Sequence, residues 1–349
     1  LFRISYLRFS IYKIMPSEKK IVLVTGGAGF IGSFLCESLL KAGNRVICID
    51  DFSTSNVRNI DPYLRNPDFQ FLKIDINEPF DLESFPELEP FKIKFVGINE
   101  IYHLATPTSI KNFDKLKYKT LLTNSVGTRN VLDVAVKYKS KILLTSSSVV
   151  YGNRTDGVEA FAEDHKGIVD HLTPRSCYDE GKRYAETMFE TYSQVFGLDT
   201  KIVRIFRTYG PRMPLFDGHQ VPDFILHALN NEELTLNGKA DFRTSMVYVT
   251  DIVDGLEKVM AAKKGIGPIN LGSNEDLKLL DIAGKIIEMT GSTSKVVTGE
   301  ELPFLTELGL PDVTKAKEQL GWMPVVRLND GLRKTIDYIQ ANKILLIGE

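Results

Sequence analysis

Tyr178-Asp179-Glu180-Gly181-Lys182 sets a phenol and an ammonium four residues apart, on one face of the helix they open. A lysine beside a tyrosine lowers the phenol's pKa through its positive charge, and a cationic nicotinamide does the same. A tyrosinate can then take a hydroxyl proton as hydride leaves the same carbon. This spacing is common by accident and gains weight from Ser146-Ser147-Ser148-Val149-Val150-Tyr151-Gly152, which follows an apolar run. Ligands of open α/β sheets bind at the carboxyl ends of strands. Ser147 there is suited to share a hydrogen bond with a substrate oxygen and orient it toward Tyr178. Ser146 and Ser148 equally suit a turn that closes its own backbone bonds. The candidate catalytic set is Ser147, Tyr178 and Lys182.

A second constellation opens the chain's ordered pattern: Thr25-Gly26-Gly27-Ala28-Gly29-Phe30-Ile31-Gly32, between a β-branched run and a helical one. Glycines at 26, 29 and 32 permit a tight turn, close backbone approach to a pyrophosphate and close helix-to-strand packing. Asp50, at the end of the next apolar run, can accept both ribose hydroxyls of NAD and repel the 2′-phosphate of NADP. NAD is therefore the expected cofactor. Asp75 suits either an adenine contact or a turn before Asn77 and Pro79. His103 reads as a packed strand residue, and no metal ligands are assigned.

The elements that must position these groups alternate as in a parallel sheet wrapped by helices. Strands are expected at 21–25, 45–50, 69–75, 100–105, 141–147 and 201–206, with helices at 31–42, 115–138 and 179–196. Beyond residue 206 prolines break the pattern into short helices at 222–230, 251–262, 280–290, 313–320 and 329–341, with strands near 234–236, 245–249 and 268–271. The expected architecture is α/β: a Rossmann-type doubly wound parallel sheet over 19–206, which includes the catalytic groups. A smaller carboxyl-terminal α/β substrate lobe spans 207–342.

Composition agrees with a folded enzyme. The chain has 349 residues, is 43% apolar and carries 43 Lys plus Arg against 45 Asp plus Glu, so it has a core and no massed positive charge for nucleic acid. Cys36, Cys48 and Cys177 lack a CxxC spacing, which fits a reducing compartment and a cytoplasmic location. No run reaches the ~18 apolar residues of a membrane span, so no membrane partner is expected. Residues 1–18, mixed apolar and basic, read as an extension outside the fold.

The glycine turn, Asp50, HLA at 103–105, the SSSxVYG turn and YxxxK together resemble the extended short-chain dehydrogenase/reductases, the NAD-dependent epimerase/dehydratase family acting on nucleotide sugars. The segments 174–188, 204–213, 218–229 and 320–332 are most similar to its UDP-glucuronate decarboxylases. The resemblance covers about residues 20–342. It implies oxidation of a sugar at C4, chemistry on the ketone, and return of the hydride. For UDP-glucuronate the product is UDP-xylose with CO2, a lyase reaction. The alternative is a UDP-sugar 4-epimerase, an isomerase; a 4,6-dehydratase, a net dehydrogenase and a non-catalytic NAD-binding protein rank below. The resemblance also implies NAD contacts from Gly26, Gly29, Phe30, Ile31, Gly32, Asp50, Asp75, Ile76, Leu104, Ala105, Thr106, Asn124, Tyr178 and Lys182. Substrate contacts are assigned to Ser148, Arg207, Arg212, Asp223 and Arg243. A homodimer through the helices at 115–138 and 179–196 is the family expectation, although Val131, Val134, Met188 and Tyr192 could instead be internal.

The departures from that resemblance lie on the substrate side. Val149 stands where the decarboxylases have a glutamate, and the dehydratases' acidic pair at 148 and 149 is absent. Thr244 occupies the place of an arginine, with Arg243 beside it, and Arg207 replaces an asparagine. Gly309-Leu310-Pro311-Asp312 lacks a basic residue before its Pro-Asp. A small or apolar residue at 149 suits an epimerase. Recognition of a substrate carboxylate is the deciding feature, with Arg175, Arg183, Arg207 and Arg212 as the available cations.

Overall fold

A computed structural model describes residues 19–154, 158, 160–237, 241–299 and 309–347; residues 1–18 lie outside this set. Short, apolar, β-branched runs form the strands β1 (Ile21–Thr25), β2 (Arg45–Asp50), β3 (Phe69–Lys73), β4 (Glu100–His103), β5 (Lys141–Ser147), β6 (Thr200–Ile205) and β7 (Pro268–Leu271). All pair in parallel, in the order β7-β6-β5-β4-β1-β2-β3. Such strands need apolar side chains on both faces. Val22, Leu23, Val24, Ile142, Leu143 and Leu144 accordingly bury into two separate clusters, one on each side of the sheet. This is the doubly wound arrangement, with its switch point between β1 and β4.

The sheet draws on chain beyond residue 206. The strand expected near 268–271 becomes β7 on the sheet's edge, beside β6. A helix at Val249–Ala261 contributes Ile252, Leu256 and Val259 to the same core as Val22 and Val24. Sequence pattern shows that a strand exists there but not which sheet receives it.

Helix α1 (Phe30–Lys41) follows the glycine turn. The long helix expected at 115–138 is α2 (Phe113–Leu122) and α3 (Thr128–Tyr138), joined by a π-helical turn at Thr123–Gly127. Helix α4 (Ser176–Phe196) begins early enough to hold Tyr178 in its first turn. Val131 and Val134 are buried, while Met188 and Tyr192 pack against the same cluster. Val131 and Val134 are thus internal, Met188 and Tyr192 are half-buried, and the exposed apolar residues on these helices are Tyr118, Leu121, Tyr184, Val195 and Phe196.

The smaller lobe has its own core of α5 (Gln220–Leu229), α6 (Leu279–Thr290) and α7 (Leu328–Ile347) around the parallel pair Leu234–Asn237 and Val296–Gly299. Phe30, Ile31 and Phe34 of α1 pack into that core, so the glycine turn lies where the lobes meet.

Candidate active site

A cavity of about 400 Å³ lies at the carboxyl edge of the sheet and runs from Asp50 and Asp75 to Arg207 and His219. Its first half is backbone. At Gly26, φ is +72° and a Cβ would lie 2.7 Å from Ala105 N; at Gly32 a Cβ would lie 2.1 Å from Gly26 O. Both positions exclude a side chain because the turn folds onto β4's extension and onto α1. At Gly29 an added Cβ would meet only Gly26 O, at 3.1 Å, and the remaining space is the cavity that this residue lines. Gly29 also N-caps α1, and no side chain caps that end. A pyrophosphate fits there against the positive helix terminus.

Asp50 is 8% exposed and faces the cavity. Its carboxylate accepts from Ala28 N at 3.0 Å, Phe52 N at 3.0 Å and Ser55 Oγ at 2.6 Å. Burial raises its pKa while these bonds pull it back. The group is held in place at the end of β2, where a ribose would lie. Asp75 forms the expected turn and also lines the cavity. One oxygen accepts from Asn77 N at 3.0 Å in a turn, and the other lies 2.9 Å from Lys119 Nζ. Lys119 also pairs with Asp51, and all three line the cavity. Lys119 is a site residue that sequence reasoning missed; it carries no local motif, and only the docking of α2 across the ends of β2 and β3 brings it there.

The reacting half gathers Ser147, Tyr178 and Lys182 on one wall, with Ile76, Leu104, Ala105, Thr106 and Ser148 also lining the cavity. The Ser147 hydroxyl stands near enough to the Tyr178 phenol to favour its anion. Lys182, 3% exposed, donates to Thr106 Oγ1 at 2.9 Å and to the Thr145 carbonyl at 3.0 Å. Two expectations change here. Tyr178 is raised, not lowered: burial opposes the phenolate, and the Ser147 hydroxyl and the Arg175 charge only partly offset it. Burial also pushes Lys182 down to about 7, so its charge is already lost well below the pH where the buried phenol titrates. Its Nζ lies 5.9 Å from the Tyr178 ring centre.

Asn124 does not line the cavity. It is buried in the π-helical turn and accepts from Thr106 Oγ1 at 3.0 Å, so it fixes the hydroxyl that Lys182 donates to. His103 is a packed strand residue as expected, bonded to Thr25 Oγ1 at 2.8 Å and Thr128 Oγ1 at 3.1 Å. Behind the wall, Arg204 binds Glu186 through two bonds of 3.0 and 2.8 Å, and Glu186 accepts from Ser146 Oγ at 2.5 Å. Ser146 therefore braces the end of β5.

In the substrate half the structure divides the candidate cations. Arg207 and Arg175 line the cavity, as does His219, which sequence reasoning had not singled out. Burial and the Arg207 charge hold His219 down to about 4. Arg212 is turned away from the cavity: it pairs with Glu37 at 2.6 Å and lies 4.2 Å over the Phe34 ring, tying the lobes together. Arg243 is drawn to Asp276 at 2.7 Å on the surface, because the one-residue offset from Thr244 puts it on the outward face of its strand. Arg183 donates to the Val150 carbonyl at 3.2 Å. Asp223 accepts from Phe216 N at 3.1 Å and closes a turn; burial raises it to about 6, and it does not line the cavity. Val149 is 3% exposed and contributes an apolar patch beside Ser148.

Residues 23–335 match the family described as GDP-mannose 4,6 dehydratase. The chain is 38% identical over 333 residues to UDP-glucuronic acid decarboxylase 1 of Xenopus tropicalis, covering 94% of this chain and 74% of that protein. It is 38% identical over 321 residues to UDP-glucuronic acid decarboxylase 6 of Arabidopsis thaliana, covering 92% of this chain and 88% of that one. Among solved structures, UDP-glucuronic acid 4-epimerase from Bacillus cereus, in complex with UDP-glucuronic acid and NAD, superposes with a TM-score of 0.79. The two are 29% identical, covering 92% of this chain and 99% of that chain.

Proposed function

The chain belongs to the family described as GDP-mannose 4,6 dehydratase, among the extended short-chain dehydrogenase/reductases, and from that premise we propose that it converts UDP-glucuronate to UDP-xylose and CO2 with NAD as its cofactor. One observation carries this reading: Ser147, Tyr178 and Lys182 share a single cavity with the glycine turn and Asp50. The glycine turn, the uncapped helix terminus and the anchored Asp50 would hold the pyrophosphate and ribose of NAD. When bound, NAD accepts the hydride from C4 and later returns it, and its positive charge favours the phenolate.

The chain's own groups do the rest. Tyr178 withdraws the C4 hydroxyl proton, and Ser147, which lines the same cavity, holds the sugar oxygen in line. The ketone at C4 is β to the C6 carboxylate, so the C5–C6 bond breaks with its electron pair passing to O4. CO2 departs and an enolate is left, held by the Ser147 and Tyr178 hydroxyls. A proton from solvent adds at C5 as the enolate returns to the ketone, and Tyr178 gives its proton back to O4 as C4 is reduced. Lys182, fixed by Thr106, Asn124 and the Thr145 carbonyl, sets the floor of this wall.

A second reading, 4-epimerisation, draws support from Val149, which leaves an apolar, acid-free surface beside the sugar. Incubation with UDP-glucuronate followed by product mass separates the two. Loss of one CO2 is expected; unchanged mass with inverted C4 favours the epimerase; no turnover overturns both. We also propose a homodimer through α2 and α4, supported by exposed Tyr118, Leu121 and Tyr184. A cytoplasmic location is supported by the three unpaired thiols. Among the described residues no helix is long and apolar enough to cross a membrane.

A further inference from the structure

Among the described residues Arg207 is the cavity-lining arginine without a carboxylate partner. Its guanidinium makes one hydrogen bond, from Nη1 to Thr244 Oγ1 at 3.0 Å, and lies 5.5 Å over the Phe242 ring. The other candidate arginines face acids or carbonyls: Arg175 pairs with Asp179 at 2.9 Å, Arg212 with Glu37 and Arg243 with Asp276. A guanidinium carries five donors, and one withdrawn from water without an anion is costly. Burial and the neighbouring Arg175 charge push its pKa down to about 10, which is the same cost seen as a titration.

Its position says which anion would relieve that cost. Ser147 of β5 is paired with Ile205 of β6, so Arg207 leaves the sheet two residues beyond the level of the catalytic hydroxyl. Arg175, whose charge reaches Arg207, lies 5.8 Å from the Tyr178 ring centre. Arg207 thus lines the cavity within reach of Arg175, which itself stands beside Tyr178. In a 4-oxidised hexuronate the C6 carboxylate hangs from C5, the carbon next to C4, whereas the diphosphate leaves C1 on the opposite side of the ring.

We propose that Arg207 binds the C6 carboxylate of the sugar and is the residue that selects an acidic over a neutral hexose, a role that rests on the nucleotide-sugar reading above. The Thr244 bond aims the planar fork and leaves its remaining donors for a bidentate grip. Such a grip stabilises the bound carboxylate before its charge moves to O4. The carboxylate keeps its charge throughout C4 oxidation, so where that oxidation limits turnover the grip is uniform binding and its loss shows in KM far more than in kcat.

The test uses NAD-loaded protein in a Tyr178→Phe background, which prevents turnover, and compares UDP-glucuronate with UDP-glucose by calorimetry. Arg207→Asn is expected to weaken UDP-glucuronate binding by about 10- to 100-fold, as for a charge-assisted bond, and to leave UDP-glucose within about 3-fold. Equal losses for the two ligands, or none for either, overturn the assignment, as does an Arg207-intact protein that fails to prefer UDP-glucuronate. Should Arg207→Asn not fold, Arg207→Lys carries the same comparison: selective loss supports the role and uniform loss overturns it. With Tyr178 restored, the Asn variant should raise KM while kcat stays within about 3-fold. Selective binding through Arg207 without CO2 release from the Arg207-intact enzyme would sink the decarboxylase reading and leave this assignment standing.

Discussion

The two halves of the cleft are built differently. In the cofactor half, Gly26, Gly29, Gly32 and Asp50 lie within one strand–turn–helix–strand unit, and their roles follow from backbone geometry that neighbouring residues enforce. In the substrate half, Arg207, Arg175 and His219 arrive from three separate segments, and their roles depend on which acids have already claimed the other cations. A motif can specify the first kind of site. The second kind is an outcome of pairing across the whole molecule.

Four measurements would break or sharpen that contrast. The largest effect is expected where the halves meet: Tyr178→Phe should cut turnover of UDP-glucuronate by about 10²- to 10⁴-fold, the usual worth of a positioned base. NAD binding by calorimetry should be unchanged, and an unaltered rate would remove the assigned base. In the cofactor half, Gly32→Ala places a methyl 2.1 Å from the Gly26 carbonyl oxygen, backbone that cannot rotate aside. A loss of about 1–3 kcal/mol in denaturant unfolding, with weakened NAD binding, is expected; a variant as stable as the parent would show the turn to be looser than drawn.

In the substrate half the expected effects are small and, for one residue, opposite in sign. Asp223 is raised to about 6, above the ~3.9 of an unfolded chain. The folded state therefore holds the proton more tightly between about pH 4 and 6, and the resulting stability is present below the unfolded value and gone above pH 6. At pH 7.5 the buried charge is a penalty, so Asp223→Asn should stabilise by about 1 kcal/mol, a Tm gain of about 1–3 °C that disappears near pH 4. Its KM should not move; a KM rise would restore Asp223 as a sugar contact. The smallest effect is expected for Arg243→Ala. Its surface pair with Asp276 is worth ~0–1 kcal/mol, and a KM change above about 3-fold would place its guanidinium in the cleft.

The proposed catalytic residues were legible because each lies in a local pattern. Tyr178 and Lys182 are one helical turn apart, and Ser147 ends a strand whose apolar run is unmistakable. Asn124 was legible as a site residue but not in its role, because the π-helical turn that sets it behind Thr106 has no signature in residue type. Lys119 gave no signal: its partners Asp51 and Asp75 are distant in sequence and share only the edge of the sheet. Arg207 and Arg212 were indistinguishable as sequence, both cations in one proline-broken stretch. The structure separates them because Glu37 on α1 reaches the second and, among the described residues, no acid reaches the first.

Order along the chain was enough to determine the alternating elements, the dinucleotide turn and the Ser, Tyr and Lys set, since each is governed by contacts among near neighbours. Tertiary structure alone decided that residues 268–271 complete the main sheet, that burial raises Tyr178 and depresses Lys182, and that Arg207 lines the cleft with no carboxylate partner among the described residues. Strand partnership, desolvation and ion pairing depend on which distant groups share a volume, and that is settled only when the chain has folded.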